Sequence, residues 1–368
     1  MRLDNLKSSK YSNMRNSIVN SFFALVFSLI LGAVFIWVTG YSPFETYKAI
    51  FGLSFSTIKG FALTLSQATP LMFTGIAFAL AYKVKMINTG AEGQLYAGAM
   101  AAALVGAYVT NLPGVVHIPL ALLMAFVAGG IIAGLVAIAK IYTGASEIIL
   151  TLMLNNVIIL FTSYLANGPL KPEGSGVGQT ERIADSAKLM RLVPQTQLTI
   201  AILIVIVVAI VIQYLLDRTV FGYEVKVTGN NRRAAEVAGI NVSKISILTF
   251  ALSGAIAGMG GAAMVLGVNY RFIEGFSSGY GFAGISIAAL AAYSPFGVIP
   301  AAFLIGILRA GTITLSRTTA IPIEFVDVIQ VLVIIFVAAP TMIRQILNIF
   351  KKITGKKNKN EVAGGEVQ

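Results

Sequence analysis

The chain has 368 residues, of which 57% are hydrophobic and only 11% charged, with a mean hydropathy of +0.83. A soluble domain carries roughly a quarter charged residues to keep its surface wet, so this composition excludes a soluble enzyme. The formal net charge of +12 is not that of a nucleic-acid binder, because Lys and Arg stand at the ends of apolar runs and in the tail Lys351, Lys352, Lys356, Lys357 and Lys359.

In chain order, a basic segment over residues 1–17 precedes a first apolar run, 18–38. At about 20 residues the run is long enough to cross a bilayer. It lacks a small-x-small cleavage site, so it reads as a retained span and not a secretory signal. Further spans are expected over 61–82, 94–109, 118–141, 147–165 and 198–216. After a polar segment, 217–244, four more follow over 245–268, 281–293, 298–315 and 322–346. The run 281–293 is too short to cross comfortably and is expected to be re-entrant or broken. The tail 351–368 reads as disordered.

The expected fold is therefore an all-α, polytopic transmembrane bundle of about ten spans occupying residues 18–350. Most Lys and Arg fall on the side that carries both termini, the Lys83/Lys85 turn, Lys140 and the 217–244 loop. That side is then cytoplasmic, and an even number of spans is required. Cysteine is absent and His117 is the one histidine, so no metal site and no catalytic group is expected. His117, close to Pro119, reads as an interfacial loop residue. Glycine clusters such as Gly254–Gly261 read as close helix packing, which replaces the hydrophobic drive inside lipid.

Three polar segments stand out. The first is Asn88-Thr89-Gly90-Ala91-Glu92-Gly93-Gln94. A cap and a tight turn would use one or two of these polar groups, with Asn88 or Glu92 as cap. The others cannot face lipid unpaired. The second is Glu147, Thr151 and Asn155, spaced i, i+4, i+8 on one face of an otherwise apolar helix. Such a stripe faces a water-filled path or bonds to a neighbouring helix. The third is the centre of the 217–244 loop, Asn230-Asn231-Arg232-Arg233-Ala234-Ala235-Glu236-Val237-Ala238-Gly239. It reads as a short helix capped by Asn230 or Asn231 and ended by Gly239. Its small residues would suit a groove on a soluble partner.

These segments resemble the permeases of the ribose, branched-chain amino acid and nucleoside branch of the ABC importers, most closely the nucleoside type that works with a binding lipoprotein. Residues 88–94 are similar to that group's Asn-Ile-Gly-Ala-Glu-Gly-Gln signature, with Thr89 in place of isoleucine. Residues 147–155 are close to its Glu-Val-Ile-x-Thr-Leu-Met-Leu-Asn pattern, and Gly229–Ile240 to its Gly-x-Asn-x-x-Ala-Ala-x-x-x-Gly-Ile coupling segment.

The resemblance implies a permease subunit in a bacterial plasma membrane that binds no cofactor itself. A cytoplasmic ABC ATPase would hydrolyse ATP, a second permease subunit would complete the path, and an extracellular lipoprotein would deliver the solute. The chain has no Gly-x-x-x-x-Gly-Lys-Ser/Thr loop, so ATP must be cradled by a partner. Asn88, Glu92, Gln94, Glu147, Thr151 and Asn155 are the expected substrate-pathway residues. Gly229, Asn230, Arg233, Ala234, Ala235 and Gly239 are expected to couple to the ATPase. The cargo implied is a nucleoside, although amides and hydroxyls suit a simple sugar equally.

Two other classes compete on the residues. An ion-coupled carrier would use intramembrane carboxylates such as Glu92, Glu147, Glu324 and Asp327. It leaves the Ala-rich cytoplasmic helix without a purpose. A membrane-embedded enzyme would want clustered acids, histidines or a metal, which this sequence lacks.

Overall fold

The computed structural model describes residues 30–318 apart from residues 35 and 39. Most of the first expected span, the tenth span, Glu324, Asp327 and both terminal segments lie outside the described residues. The chain divides into two compact units, residues 45–320 and residues 1–44 with 321–368. The architecture below is that of the first.

It is all-helical apart from isolated bridges in the 167–200 connection. The helices are α1 (Pro43–Ser56), α2 (Ile58–Tyr82), α3 (Ala91–Tyr108), α4 (Gly114–Thr143), α5 (Glu147–Asn167), α6 (Ala201–Arg218), α7 (Val220–Asn230), α8 (Arg232–Val237), α9 (Val242–Met264), α10 (Tyr280–Leu290) and α11 (Val298–Thr318). Among the described residues, five helical stretches are long and apolar enough to span a membrane: α2, α4, α5, α6 and α9 with its π-helical extension to Asn269. The spans expected from the sequence over 61–315 are each present as a helix with ends shifted by less than about a turn. α1 and α7 were not anticipated.

α9 is the centre of the unit, packed against α4, α3 and α2. Its glycines allow this. A Cβ on Gly98 of α3 would lie 2.3 Å from the Gly258 carbonyl oxygen, and one on Gly129 of α4 would lie 2.2 Å from that of Gly254. Two helices meeting at bare backbone gain dispersion contacts that larger side chains would prevent, and in lipid that packing is the main attraction.

α10 has only 11 residues, about 16 Å of helix. It starts inside the bundle: Thr74 Oγ1, midway along α2, donates to Tyr280 O at 2.9 Å. Just beyond its last turn the Tyr293 ring stacks on Tyr82 at 3.8 Å, at the end of α2. The helix therefore runs beside only the second half of α2, and the expected broken span is a half-helix with a buried start.

One sequence expectation needs correction, and one open alternative is resolved. His117 is not a loop residue: it lies in the first turn of α4, fully buried, with Nδ1 2.8 Å from Ser186 Oγ and Nε2 3.1 Å from Val105 O. The nearby proline suggested a loop, but Pro119 lies inside the helix, which continues past the one backbone bond that proline cannot donate. In the polar loop, Asn230 closes α7, and Asn231 is the cap of α8, accepting from Ala234 N at 3.1 Å.

Candidate functional site

Residues 88–94 form the turn from α2 into α3, and almost every polar group there is paired inside the protein. Asn88 is fully buried, as is Gln94. Asn88 Nδ2 donates to Gln94 Oε1 at 2.8 Å, and Gln94 Nε2 donates back to Asn88 Oδ1 at 2.9 Å. Asn88 Nδ2 also donates to Ser253 Oγ of α9 at 2.8 Å, and Ser253 Oγ donates in turn to Ala77 O of α2 at 2.7 Å. The start of α3 has Gly90 as cap without a side-chain bond; Asn88 Oδ1 accepts from Gly90 N at 3.1 Å instead. A buried amide left unpaired would cost several kcal/mol, and this arrangement joins α2, α3 and α9 while avoiding that cost.

The α5 stripe closes on the same turn. Asn155 Oδ1 accepts from Gly93 N at 2.7 Å, and Asn155 Nδ2 donates to Thr89 O at 2.8 Å. Thr89 and Thr151 hydroxyls meet at 2.5 Å. Thr151 is 1% exposed and Asn155 3%. Glu147, one turn earlier, is ion-paired with Lys140 at 2.5 Å across the α4–α5 turn. Glu92, 4% exposed, accepts from Gly281 N in the first turn of α10 at 2.6 Å, where a carboxylate meets the positive end of the helix. Asn88, Gln94, Thr151 and Asn155 thus belong to one knot around residues 88–94. Glu92 ties that segment to α10, and Glu147, the first residue of α5, pairs with Lys140.

A neighbouring face of α5 carries polar groups that sequence reasoning passed over. Asn156 is exposed in the middle of the helix, with Ser163 and Asn167 at i+7 and i+11. Asn156 Nδ2 reaches only its own helix, at Leu152 O. At the far end Glu274 accepts from Asn167 Nδ2 at 2.7 Å and from Ser163 Oγ. The signal was present in the doublet Asn155-Asn156, since two adjacent amides lie about 100° apart on a helix and cannot share one face.

A small cavity of about 40 Å³ lies between α2, the chain before α6, the end of α9 and the start of α10, where Tyr280 Oη donates to Gln67 Oε1 at 2.6 Å. It has room for a few waters and not for a larger solute. Among the described residues no group of three or more His, Asp or Glu is placed to hold a metal ion.

On the polar-loop side, α8 is largely exposed: Arg233, Ala234 and Gly239 are open, Val237 is 91% exposed, and only Ala235 is buried. Gly239 ends the loop helix with φ +79°, a conformation suited to glycine. Gly229 rests on the α2–α3 connection so closely that a Cβ there would lie 1.8 Å from Lys83 O. Burial holds the Lys83 ammonium below its ordinary pKa, and Lys226 lowers it further.

The family described as branched-chain amino acid transport system / permease component matches residues 60–338. The chain belongs to this family. It is 32% identical over 332 residues to the guanosine ABC transporter permease protein NupP of Bacillus subtilis (strain 168), covering 89% of this chain and 95% of that protein. It is 29% identical over 364 residues to the nucleoside ABC transporter permease protein NupB of Lactococcus lactis subsp. cremoris (strain MG1363), covering 96% and 100%. With the glucose ABC transporter permease protein TsgB13 of Haloferax volcanii it shares 34% identity over 319 residues, 84% of each chain. No solved structure matches. The permease is thus a membrane-embedded transport component and not an enzyme, and the ion-coupled reading gives way to an ABC transporter subunit.

Proposed function

We propose that this permease carries nucleosides inward across a bacterial plasma membrane, with a second permease subunit, a cytoplasmic ABC ATPase and an extracellular binding lipoprotein. The cargo rests on the relatives' printed substrates, guanosine and nucleosides, across nearly the full chain. The glucose relative supports a second reading, a simple sugar carried by the same machinery. ATP is bound by the partner, and this chain carries about ten spans with both termini cytoplasmic, as its Lys and Arg distribution favours.

The observation that carries the location of the path is Asn156. An amide exposed halfway along an apolar helix is costly against hydrocarbon, so protein or water must cover this face of α5. A second permease facing it, with the path between them, meets that need. Asn156, Ser163 and Asn167 then offer hydrogen bonds to a passing polar solute, weak enough to permit release. Asn88, Glu92, Gln94, Glu147, Thr151 and Asn155 serve the path from behind, as the bonded frame that sets the position of α5 and α10.

Alternating access follows from the same connections. The ATPase grips the exposed face of α8, through Arg233 and Ala234, with Asn230 at the end of α7, Gly239 just past α8 and Ala235 as its inward anchor. Movement of α8 is passed by Gly229 to the Lys83 backbone and on to Asn88, whose bonds to Gln94 and Ser253 reach α3 and α9. The Asn155 clasp adds α5.

The experiment is nucleoside-stimulated ATP hydrolysis by the four-component complex in liposomes, comparing guanosine, adenosine, uridine and ribose. Stimulation by a nucleoside supports the assignment. Stimulation by ribose alone keeps the importer and replaces the cargo. Solute movement with no ATPase present overturns the mechanism.

A further inference from the structure

A cavity of about 180 Å³ opens between the α2–α3 connection, the end of α4, the α7–α8 junction and the start of α9. That is far above the about 10–15 Å³ needed for one water. Its polar lining is Lys85, Lys140, Thr228, Arg232 and Ser246. Lys140 is matched by Glu147 at 2.5 Å. Among the described residues neither Lys85 nor Arg232 has a carboxylate within ion-pair distance, although the Lys85 ammonium lies 4.7 Å from the Tyr82 ring centroid. Three cations and one anion thus leave a surplus of two positive charges around a concave space. Nearby Lys226 is paired with Asp217 at 2.6 Å, and the depressed Lys83 ammonium feels both Lys226 and Lys85.

Thr228 is the second observation. It is 5% exposed, and its Oγ1 is buried without a hydrogen-bond partner. A threonine within a helix ordinarily satisfies its hydroxyl on the preceding turn, as Thr249 does on Ile245 O at 2.7 Å. A buried hydroxyl left unpaired costs about 1–3 kcal/mol; Thr228 lines the cavity, and a χ1 rotation that brings its hydroxyl to a ligand acceptor there would remove that cost.

We propose that this cavity is an oxyanion site that takes one phosphate group, held by Lys85 and Arg232 with Thr228 Oγ1 as a neutral donor. Lys85 follows the end of the apolar helix α2 and Lys140 is in the last turn of α4. Basic pockets at such helix ends suit anionic lipid headgroups, and free phosphate has the same chemistry. An occupant would bridge Arg232, the first residue of α8, to Lys85 on the α2–α3 connection. It would stiffen the link through which α8 meets the bundle.

The test uses the full-length chain purified in detergent with its partner permease. Native mass spectrometry would count retained phosphatidylglycerol against phosphatidylcholine, and thermal unfolding would be followed in sodium phosphate against sodium chloride of equal ionic strength. The expected result is one more phosphatidylglycerol on the wild type than on the Lys85→Gln/Arg232→Gln double variant, with equal phosphatidylcholine. Thr228→Val keeps the charges and fold, and should weaken retention about fivefold, the worth of one hydrogen bond. Phosphate-specific stabilisation of the wild type that disappears in the variants, without a lipid difference, assigns the site to free phosphate. Equal lipid counts and equal phosphate response in all three proteins overturn the proposal.

Discussion

Asn88 and Gln94 face each other as a closed amide pair, each side chain both donating to and accepting from the other, at 2.8 and 2.9 Å. The six-residue separation is bridged by the turn that starts α3, so the pair fixes how that helix leaves the α2 connection. Ser253 extends the pair to α9. A single interhelical bond in a membrane averages about 0.6 kcal/mol, but Asn88 takes part in several at once. Asn88→Ala should therefore lower stability by about 2 kcal/mol. The check is thermal unfolding in detergent, and an unchanged midpoint would refute the role of the knot.

Asn155 and Asn156 separate frame from path. Asn155→Leu breaks the bonds to Gly93 and Thr89 and should lower the unfolding midpoint. Asn156→Leu should leave the midpoint unchanged while slowing uptake about five- to tenfold, the worth of one hydrogen bond of ~1–1.5 kcal/mol. Radiolabelled uptake paired with thermal unfolding of the two variants is the measurement. Normal uptake by Asn156→Leu would move the path away from this face.

Close helix contact makes a sharp prediction. Gly98→Ala puts a methyl 2.3 Å from the Gly258 carbonyl oxygen, whereas at Gly130 the nearest atom, Ala255 Cβ, is 3.4 Å away. Backbone cannot rotate aside as a side chain can, so Gly98→Ala should destabilise by about 1–3 kcal/mol and Gly130→Ala by far less. Expression and unfolding of the two single variants would decide it, and equal behaviour would contradict the packing described.

Ala234 and Ala235 are adjacent but opposite in environment, one exposed and one buried. Ala234→Tyr is expected to uncouple ATP hydrolysis from transport in a folded, correctly assembled permease. Ala235→Tyr should disturb α8 itself. Limited proteolysis of the 217–244 loop distinguishes the two. Coupled transport in Ala234→Tyr would rule out the exposed face as the ATPase contact.

Glu274 gives a pH dependence. Hydrogen bonds from Asn167, then Ser163, hold its carboxyl below the ordinary 4.5. Its clasp on α5 is thus present above that value and is lost as pH falls through the lower folded value. Amide protection around residues 272–276, corrected for the intrinsic slowing of exchange at lower pH, should fall on acidification in the wild type. In Glu274→Gln the same region should show no such change.

What the sequence by itself determined is what local composition and period control. Runs of apolar residues long enough for a bilayer mark α2, α4, α5, α6 and α9 as helices, because no water is available to unpaired backbone in lipid. The shortness of 281–293 marked a helix too short to cross comfortably, and Asn230 or Asn231 with Gly239 bounded the loop helix. Only the tertiary structure decided which face of each helix looks inward. Glu147, Thr151 and Asn155 are a polar stripe in the sequence whether they bond to a neighbouring helix or line a path. It took the carbonyl of Thr89 and the amide of Gly93, far away in the chain, to settle that Asn155 bonds inward and Asn156 does not. In the same way, Gly229 against Lys83 and Thr228 beside Lys85 and Arg232 join segments far apart in sequence. A membrane bundle packs through small residues and single polar pairs, and these leave no periodic mark by which a one-dimensional reading could match them.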